Sequence, residues 1–243
     1  MTARFFCPPP LVAGAEIALP SSAAHHAGQV LRLRVGDAVT LFDGEGGEYG
    51  AQIARVTPRA VNLRVLERRA IERESPLSIT LAQALVSAER MDYAIQKAVE
   101  LGAVAIAPVA TARSVTRLDG TRAHRRVEHW RQIVIASCEQ CGRNRLATVH
   151  EPCELREWLR RPSKASLRLL LSPRVAHSLA DLPAPKEAIE LLVGPEGGLA
   201  PEEETAALAA GFRGVRLGPR MLRTETAGPA IIAAMNALWG DWR

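Results

Sequence analysis

Short apolar runs alternate with helix-period segments from Leu77 to the end of the chain. Runs such as ITLAQAL and AIELLVG are typical of buried strands, whereas MDYAIQKAVELG has apolar residues at helical spacing. Strands that alternate with helices are joined by crossovers, and crossovers favour parallel neighbours. Residues 75–243 are therefore predicted to form an α/β domain with a mainly parallel sheet.

The first part of the chain has a different pattern. AVTLF, YGAQIARV and AVNLRVLE are short strand-like runs separated by turn residues, as in the hairpins of a small barrel or sandwich. The charged stretch Glu67–Glu74 is followed by a Ser-Pro pair and is typical of a boundary between domains. Residues 1–74 are therefore predicted to form a separate β domain.

Several classes of protein are excluded by composition. No apolar run approaches the roughly 18 residues of a membrane span, and the prolines of MTARFFCPPP interrupt any signal-peptide core. We expect a cytoplasmic protein with no membrane partner. Cys138 and Cys141 form a CxxC pair, but no second ligand pair follows it, so we expect no metal. Two thiols on one helical face are the alternative.

The basic residues are concentrated in the middle of the chain. The segment Arg113–Arg145 contains eight basic and three acidic residues, and an amphipathic helix is predicted over Thr121–Gln140. This excess predicts an anionic partner. The residues predicted to bind it are Arg122, Arg125, Arg126 and Arg145. Two other interpretations stay open: the codon usage of a GC-rich genome, or a solvated helix whose charges pair with Asp119, Glu128 and Glu139.

The segment LLVGPEGG, residues 191–198, is a buried-strand pattern that ends in a glycine turn. Ligands of open α/β sheets bind at such strand ends. The segment lacks the GxxxxGK[ST] and GxGxxG patterns of phosphate-binding loops. Glu196 and the acidic stretch Glu202–Glu204 would repel a phosphate. We therefore expect a ligand that has no phosphate and some positive character; a tight turn without a ligand is the alternative.

A second turn of this kind, RLGPRMLRTETAG, covers residues 216–228 and leads into the last helix. Together with Leu171–Ser172, which ends another strand, the two turns predict one shared pocket. Thr224 and Thr226 are equally compatible with a place in that pocket and with capping of the last helix.

The glycine turns belong to a set of motifs that resembles the RsmE-type 16S rRNA uridine methyltransferases of the SPOUT superfamily. The motifs are LVGPEGG, LGPRMLRTETA, VLRLRVGD, LFDGEGGEY, MDYAIQKAVELG, TARSV and CEQCGRNR. The resemblance implies a PUA-like β-barrel followed by an α/β SPOUT domain with a deep trefoil knot. It also implies a homodimer that uses S-adenosylmethionine (SAM) to methylate N3 of a uridine in 16S rRNA of the small ribosomal subunit.

The resemblance also assigns site residues. The SAM pocket would use Leu171, Gly194, Leu217, Gly218, Leu222 and Thr226. Arg143 and Arg223 are candidates for a cation that stabilises charge on the uracil oxygens, and Glu225 and Glu196 are candidates for the base. SAM carries a sulfonium cation and no phosphate, which agrees with the electrostatics of the glycine loop. Two alternatives stay open: a SPOUT methyltransferase for another RNA position, and a non-enzymatic rRNA-binding protein.

The last helix, AGPAIIAAMNALWGDW, is apolar on almost every side. A helix of this kind needs burial on more than one face. We therefore expect the homodimer interface to include this helix. The residues that suggest it are Ile231, Ile232, Met235, Leu238 and Trp239.

Overall fold

The structure, a computed structural model, describes residues 2–58, 60–117, 120–174 and 177–242, so Asp119 lies outside the described residues. Its chain divides into two compact units. The first consists of Met1–Glu74 with Cys138–Leu146, and the second of Ser75–Ser137 with Ala147–Arg243. The first unit therefore contains residues 138–146 in addition to the residues that the sequence assigns to the β domain.

The first unit is built on one five-stranded sheet. Its strands are β1 (Arg4–Phe6), β2 (Glu16–Ala18), β3 (Ala38–Phe42), β4 (Glu48–Val56) and β5 (Val61–Arg69). They are ordered β1-β3-β4-β5-β2, and every neighbouring pair except the parallel pair β1–β3 is antiparallel. Helix α1 (Ser21–His25) continues as a π-helical turn over His26–Val30. Alternate strand residues, such as Leu41 and Leu63, fill the core of this unit.

Buried polar contacts attach the segment 138–146 to this sheet. The amide of Asn144, which is fully buried, donates to the carbonyl of Ile71 at 2.6 Å and accepts from Arg4 at 2.6 Å. The carboxylate of Glu139 accepts from the backbone N–H of Phe6 at 2.9 Å. Buried polar groups need hydrogen-bond partners, and those of this segment are residues of the first unit. The contacts therefore explain why residues 138–146 belong to that unit.

The second unit contains one parallel sheet. Its strands are β6 (Ile79–Ala84), β7 (Ala105–Ala110), β8 (Thr148–Val149), β9 (Cys153–Glu154), β10 (Leu167–Leu171), β11 (Ile189–Val193) and β12 (Arg213–Val215). They are ordered β12-β10-β11-β6-β7-β8, with β9 also paired to β7, and every pair is parallel. The predicted α/β fold with a mainly parallel sheet is confirmed.

The helices follow the strands as the alternation predicts. They are α2 (Ala88–Glu100), α3 (Gly120–Cys141), α4 (Leu155–Arg160), α5 (Pro201–Ala209) and α6 (Thr224–Trp239), with a 3-10 turn over Leu179–Asp181. Among the residues that the structure describes, no helix is long and apolar enough to cross a membrane.

Three neighbouring strands end at the same level of the sheet. Leu171 at the end of β10 is in register with both Val193 of β11 and Val215 of β12. Val193 is in turn in register with Gln83 of β6. Because these strands are parallel, the loops that follow β10, β11 and β12 leave from one edge of the sheet.

Helix α6 is buried more fully within its own chain than its sequence suggests. Ile231, Ile232 and Met235 are completely buried, and α6 packs against α2. Of the five residues that suggest an interface on α6, these three are therefore covered by the core of the second unit. Leu238 remains 38% exposed and Trp239 is half-buried.

Candidate cofactor and substrate site

A cavity of about 840 Å³ opens at the carboxyl ends of β10, β11 and β12. Its walls come from the three loops that leave this edge, at residues 172–174, 194–199 and 216–223. Arg90 of α2 and Arg113 contribute from outside these loops. A volume of this size is typical of a small-molecule site. The three predicted strand ends thus do form one pocket.

Most of the predicted cofactor residues line this cavity. They are Leu171, Gly194, Leu217, Gly218 and Leu222. Thr226 differs, because it is exposed, does not belong to the lining, and donates its backbone N–H to the carbonyl of Arg223. Thr224, the first residue of α6, lines the cavity in its place.

The glycine turn after β11 is tightly packed, because the backbone at its end lies close to Gly194. A Cβ atom added at Gly194 would lie 3.2 Å from the amide nitrogen of Leu199 and 3.4 Å from the carbonyl carbon of Gly198. A side chain at Gly194 would therefore collide with the turn before it met a ligand. Gly198, with φ of +67°, completes the turn in the left-handed region that favours glycine.

A buried hydrogen-bond chain connects this turn to β6 and α6. The Gln83 side-chain N–H donates to the Thr224 hydroxyl at 2.9 Å, and that hydroxyl donates to the Gly194 carbonyl at 2.7 Å. Gln83 is completely buried, and within the described parts of the chain its Oε1 atom has no hydrogen-bond partner. The sequence analysis did not single out Gln83. The sequence feature that could have identified Gln83 is its place in a mainly apolar strand. A buried amide at such a position needs a polar partner, which makes it a candidate for a specific contact.

The carboxylates around the cavity are mostly neutralised by partners. Glu196 pairs with Arg90, and Glu204 pairs with Arg174 at 2.6 Å. Glu203 accepts backbone N–H groups, including that of Ala200 at 2.9 Å. The argument that this acidic stretch repels phosphate is therefore weaker than the sequence suggests. The arginines that line the cavity are Arg90, Arg113, Arg174, Arg216, Arg220 and Arg223.

Glu225 is the exception among the cavity carboxylates. Its Oε2 atom is buried and has no hydrogen-bond partner among the described residues, while Oε1 lies 3.7 Å from the Nε atom of Arg90. A buried carboxylate oxygen without a partner is costly, so it favours a cationic ligand or a ligand that donates an N–H. Arg223, the predicted cation, lies just before α6 and lines the same cavity.

Arg143, the other predicted cation, has a different environment. It is buried in the first unit, where its guanidinium contacts the Glu74 carboxylate, and it does not belong to the lining of the cavity. Arg145 is exposed, and its Nε atom lies 3.1 Å from Glu72. The structure therefore brings Arg223 and Glu225 to the cavity lining, whereas Arg143 forms an ion pair elsewhere.

The CxxC pair lies at the end of α3. Burial raises the pKa of the Cys138 thiol to about 12, and its Sγ atom lies 3.6 Å from the carbonyl of Arg145. No three His, Cys, Asp or Glu side chains gather as a metal site within the described parts of the chain.

Helix α3 presents the predicted RNA-binding arginines. Arg122 and Arg125 are exposed, Arg126 is half-buried, and the three line a shallow depression with His129. The carboxylates proposed as their alternative partners have other contacts. Glu128 pairs with Arg131, and Glu139 binds the backbone of the first unit.

Comparisons with known proteins identify the family of this chain. A model of the RNA methyltransferase domain matches residues 73–236, and a model of the RNA methyltransferase PUA domain matches residues 19–66. The chain is 32% identical to the ribosomal RNA small subunit methyltransferase E of Buchnera aphidicola subsp. Schizaphis graminum, over 93% of this chain and 92% of that protein. It is also 32% identical to the protein of that name from Mycobacterium tuberculosis, over 94% of this chain and 89% of the relative.

Two solved structures are similar over the full length. One is a ribosomal RNA small subunit methyltransferase E from Neisseria gonorrhoeae bound to SAM, with 41% identity, a TM-score of 0.93 and complete coverage of both chains. The other, from Legionella pneumophila and also in complex with SAM, has 37% identity, a TM-score of 0.96 and 99% coverage of each chain. The resemblance predicted from the sequence motifs is confirmed. This chain belongs to the ribosomal RNA small subunit methyltransferase E family.

Proposed function

We propose that this protein transfers the methyl group of SAM to N3 of a uridine in the 16S rRNA of the small ribosomal subunit. SAM-dependent methylation of ribosomal RNA is established by the family match, the names of the relatives and the SAM-bound structures. The position on the uridine rests on the motif resemblance and on the chemistry of the cavity. The observation that carries the proposal is the buried Oε2 atom of Glu225, which has no hydrogen-bond partner among the described residues and is free to accept a proton.

The cavity fits SAM in three respects. Apolar side chains such as Leu170, Val193 and Leu222 offer a wall for a flat adenine ring. The glycine turns bring backbone groups close to the cavity, where they can bind the polar edges of a ligand. Glu225 and the surrounding arginines complement the positive and negative groups of SAM. When bound, SAM supplies an electrophilic methyl group.

Glu225 is suited to take the N3 proton of uracil. Uracil N3 carries a hydrogen at neutral pH and has to lose it to become a nucleophile. Both carboxylates lie near Arg90, but Glu196 is hydrogen-bonded to it, whereas Glu225 has only a 3.7 Å ion pair through Oε1 and its Oε2 atom has no hydrogen-bond partner among the described residues. A positioned base contributes roughly 10² to 10⁴ in rate. Arg223 would stabilise the negative charge that develops on the uracil oxygens.

Other parts of the chain would bind the RNA. The arginines of α3 and Arg145 would contact phosphates, and the PUA-like first unit would add affinity. We also propose a deep trefoil knot in the second unit, a feature that rests on the resemblance of the sequence motifs to the SPOUT superfamily. A homodimer in the cytoplasm, where ribosomal subunits are assembled, completes the proposal.

Methylation of small ribosomal subunits from a strain that lacks this gene tests the function. The purified protein is incubated with these subunits and SAM, and nucleosides from the digested rRNA are identified by mass spectrometry. We expect one additional methyl group per subunit, found as 3-methyluridine. A methylated ribose or another methylated base would indicate a different target. RNA binding without any methyl transfer would indicate a non-enzymatic protein.

A further inference from the structure

We propose that Gln83 and Thr224 are positioning residues, whose hydrogen bonds hold the Gly194 turn in the conformation that binds SAM. The inference deepens the proposed function and rests on it. Gln83 does not line the cavity, and neither residue is needed to donate or accept a proton in the reaction. Their effect would reach the cofactor through the backbone of the turn.

The direction of the two hydrogen bonds follows from the atoms involved. A carbonyl oxygen only accepts, so the single hydroxyl hydrogen of Thr224 has to point to Gly194, 2.7 Å away. The hydroxyl oxygen is then left as an acceptor for Gln83. The Gln83 side chain must therefore present its NH₂ group to Thr224, at 2.9 Å. The opposite orientation of the amide would place two acceptors against each other.

Burial makes this chain of bonds hard to replace. Gln83 is completely buried and Thr224 is 5% exposed, so water has little access to either group. Within the turn, the backbone N–H of Gly198 donates to the carbonyl of Pro195 at 2.8 Å and not to that of Gly194. The Gly194 carbonyl accepts from the Thr224 hydroxyl instead, so this bond ties the start of the turn to α6.

The bonds connect structural elements that the cavity requires. Gln83 is on β6, Gly194 begins the loop after β11, and Thr224 is where the loop after β12 becomes α6. The chain of bonds therefore holds two of the three cavity loops at a defined spacing from the same strand. A site for a ligand of this size needs its loops held to within a fraction of an ångström.

The Gln83→Glu substitution gives the sharpest test, because it keeps the shape of the side chain and replaces the NH₂ group, which donates to Thr224 at 2.9 Å and to the Ala84 carbonyl at 3.3 Å. An ionised carboxylate accepts a hydrogen bond from Thr224 and so takes the hydroxyl hydrogen away from Gly194. A protonated carboxyl donates to Thr224 and restores the original direction. Burial raises the pKa of a carboxyl group, so protonation should occur in mildly acidic buffer.

Calorimetric titration with SAM between pH 5.5 and 8.5 measures the effect. We expect Gln83→Glu to bind SAM at least tenfold more weakly than wild type at pH 8.5 and to recover most of that loss at pH 5.5. The wild-type protein is titrated at each pH as the reference. Because an ionised carboxylate at this buried position would also destabilise the fold, urea denaturation at the same pH values is measured alongside, and the SAM affinities are compared only where the variant is folded.

Substitutions of Thr224 provide an independent measurement. Thr224→Val should weaken SAM binding at least tenfold, whereas Thr224→Ser, which keeps the hydroxyl, should stay within threefold of wild type. Thr205→Val is the matched control, because the Thr205 hydroxyl also donates to a carbonyl at 2.9 Å but lies on the exposed face of α5. If Thr224→Val does not fold, the pH titration of Gln83→Glu decides the question.

The possible outcomes separate the two proposals. If wild type binds SAM and both Gln83→Glu and Thr224→Val bind it equally well at every pH, the positioning role is overturned and the proposed function stands. If wild type itself does not bind SAM, the proposed function is overturned and the positioning role with it.

Discussion

Arg143 and Glu74 form a buried ion pair in the first unit. The Nε and Nη2 atoms of Arg143 lie 2.9 and 2.5 Å from Oε2 of Glu74. The Arg143 side chain is 4% exposed and that of Glu74 is 17% exposed. Removal of one member of a buried pair leaves the other charge without compensation, which is costly. This pair therefore gives Arg143 a structural role.

Arg143→Ala is expected to destabilise the protein. Loss of one partner of a buried ion pair costs about 3 kcal/mol, and urea denaturation of the variant would measure it. Glu74→Ala should have a similar effect. A variant that keeps wild-type stability but loses its single-turnover methylation rate would restore the catalytic role that the motif resemblance suggests for Arg143.

Glu225→Gln is expected to slow methyl transfer by about 100-fold or more, because it removes a positioned proton acceptor. Single-turnover methylation of small ribosomal subunits at saturating SAM is the appropriate measurement. Glu202→Gln, an exposed carboxylate in the first turn of α5, is the matched control and should keep the wild-type rate. A Glu225→Gln enzyme with the full rate would exclude this residue as the base.

Alanine at the three arginines of the α3 depression should reduce the dependence of RNA binding on salt. Each lost phosphate contact lowers the slope of log affinity against log salt by roughly 0.7 to 0.9 units. A matched triple variant on α4 and the residue that follows it should leave the slope unchanged. The test variant changes Arg122, Arg125 and Arg126, and the control variant changes Arg156, Arg160 and Arg161, which are all exposed. Equal slopes for the two variants would place the RNA elsewhere.

Analytical ultracentrifugation at micromolar concentration should report roughly twice the chain mass of 26.3 kDa. Leu238 on α6 is 38% exposed, and Leu238→Glu should shift the protein toward the monomer by introducing a charge into an apolar contact. Leu208→Glu, on the exposed face of α5, is the control. A monomeric wild type would refute the dimer.

Stability should fall as the pH rises above 9. Burial raises the pKa of the Cys7 and Cys138 thiols from 9.0 to about 12, so between these values the unfolded chain ionises and the folded chain does not. Each thiol then costs up to about 1.4 kcal/mol per pH unit. Urea denaturation at pH 8, 9 and 10 measures this loss. Cys138→Ala should have a shallower pH dependence than wild type.

The local patterns in the sequence predicted the elements well, because each strand and helix of the second unit has its own periodicity. AIELLVG became β11, and the helix expected near Thr121–Gln140 is α3. The glycine turns also pointed to the cavity, since the strands that precede them are parallel and end at one edge. These features depend on residues that are close together in the chain.

Contacts between distant residues could not be predicted in this way. The CEQCGRNR motif has the pattern of a helix end followed by a loop. That local pattern does not predict that Arg143 pairs with Glu74 or that Asn144 accepts from Arg4. The exposure of Thr226 and the burial of Thr224 depend on where α6 begins, a difference of two residues. For α6, the sequence indicated that a large apolar surface has to be buried. It did not indicate that other residues of the same chain bury most of that surface.

The first unit is formed by two separate stretches of the chain, and this has a consequence for protein synthesis. Glu74 leaves the ribosome 69 residues before Arg143, and Phe6 leaves it 133 residues before Glu139. At roughly 5 to 20 residues per second, Glu74 waits several seconds for its partner. The nascent chain therefore cannot complete the first unit until much of the second has been translated. For the same reason, residues 1–74 transferred alone to another protein would lack the partners of their buried charges.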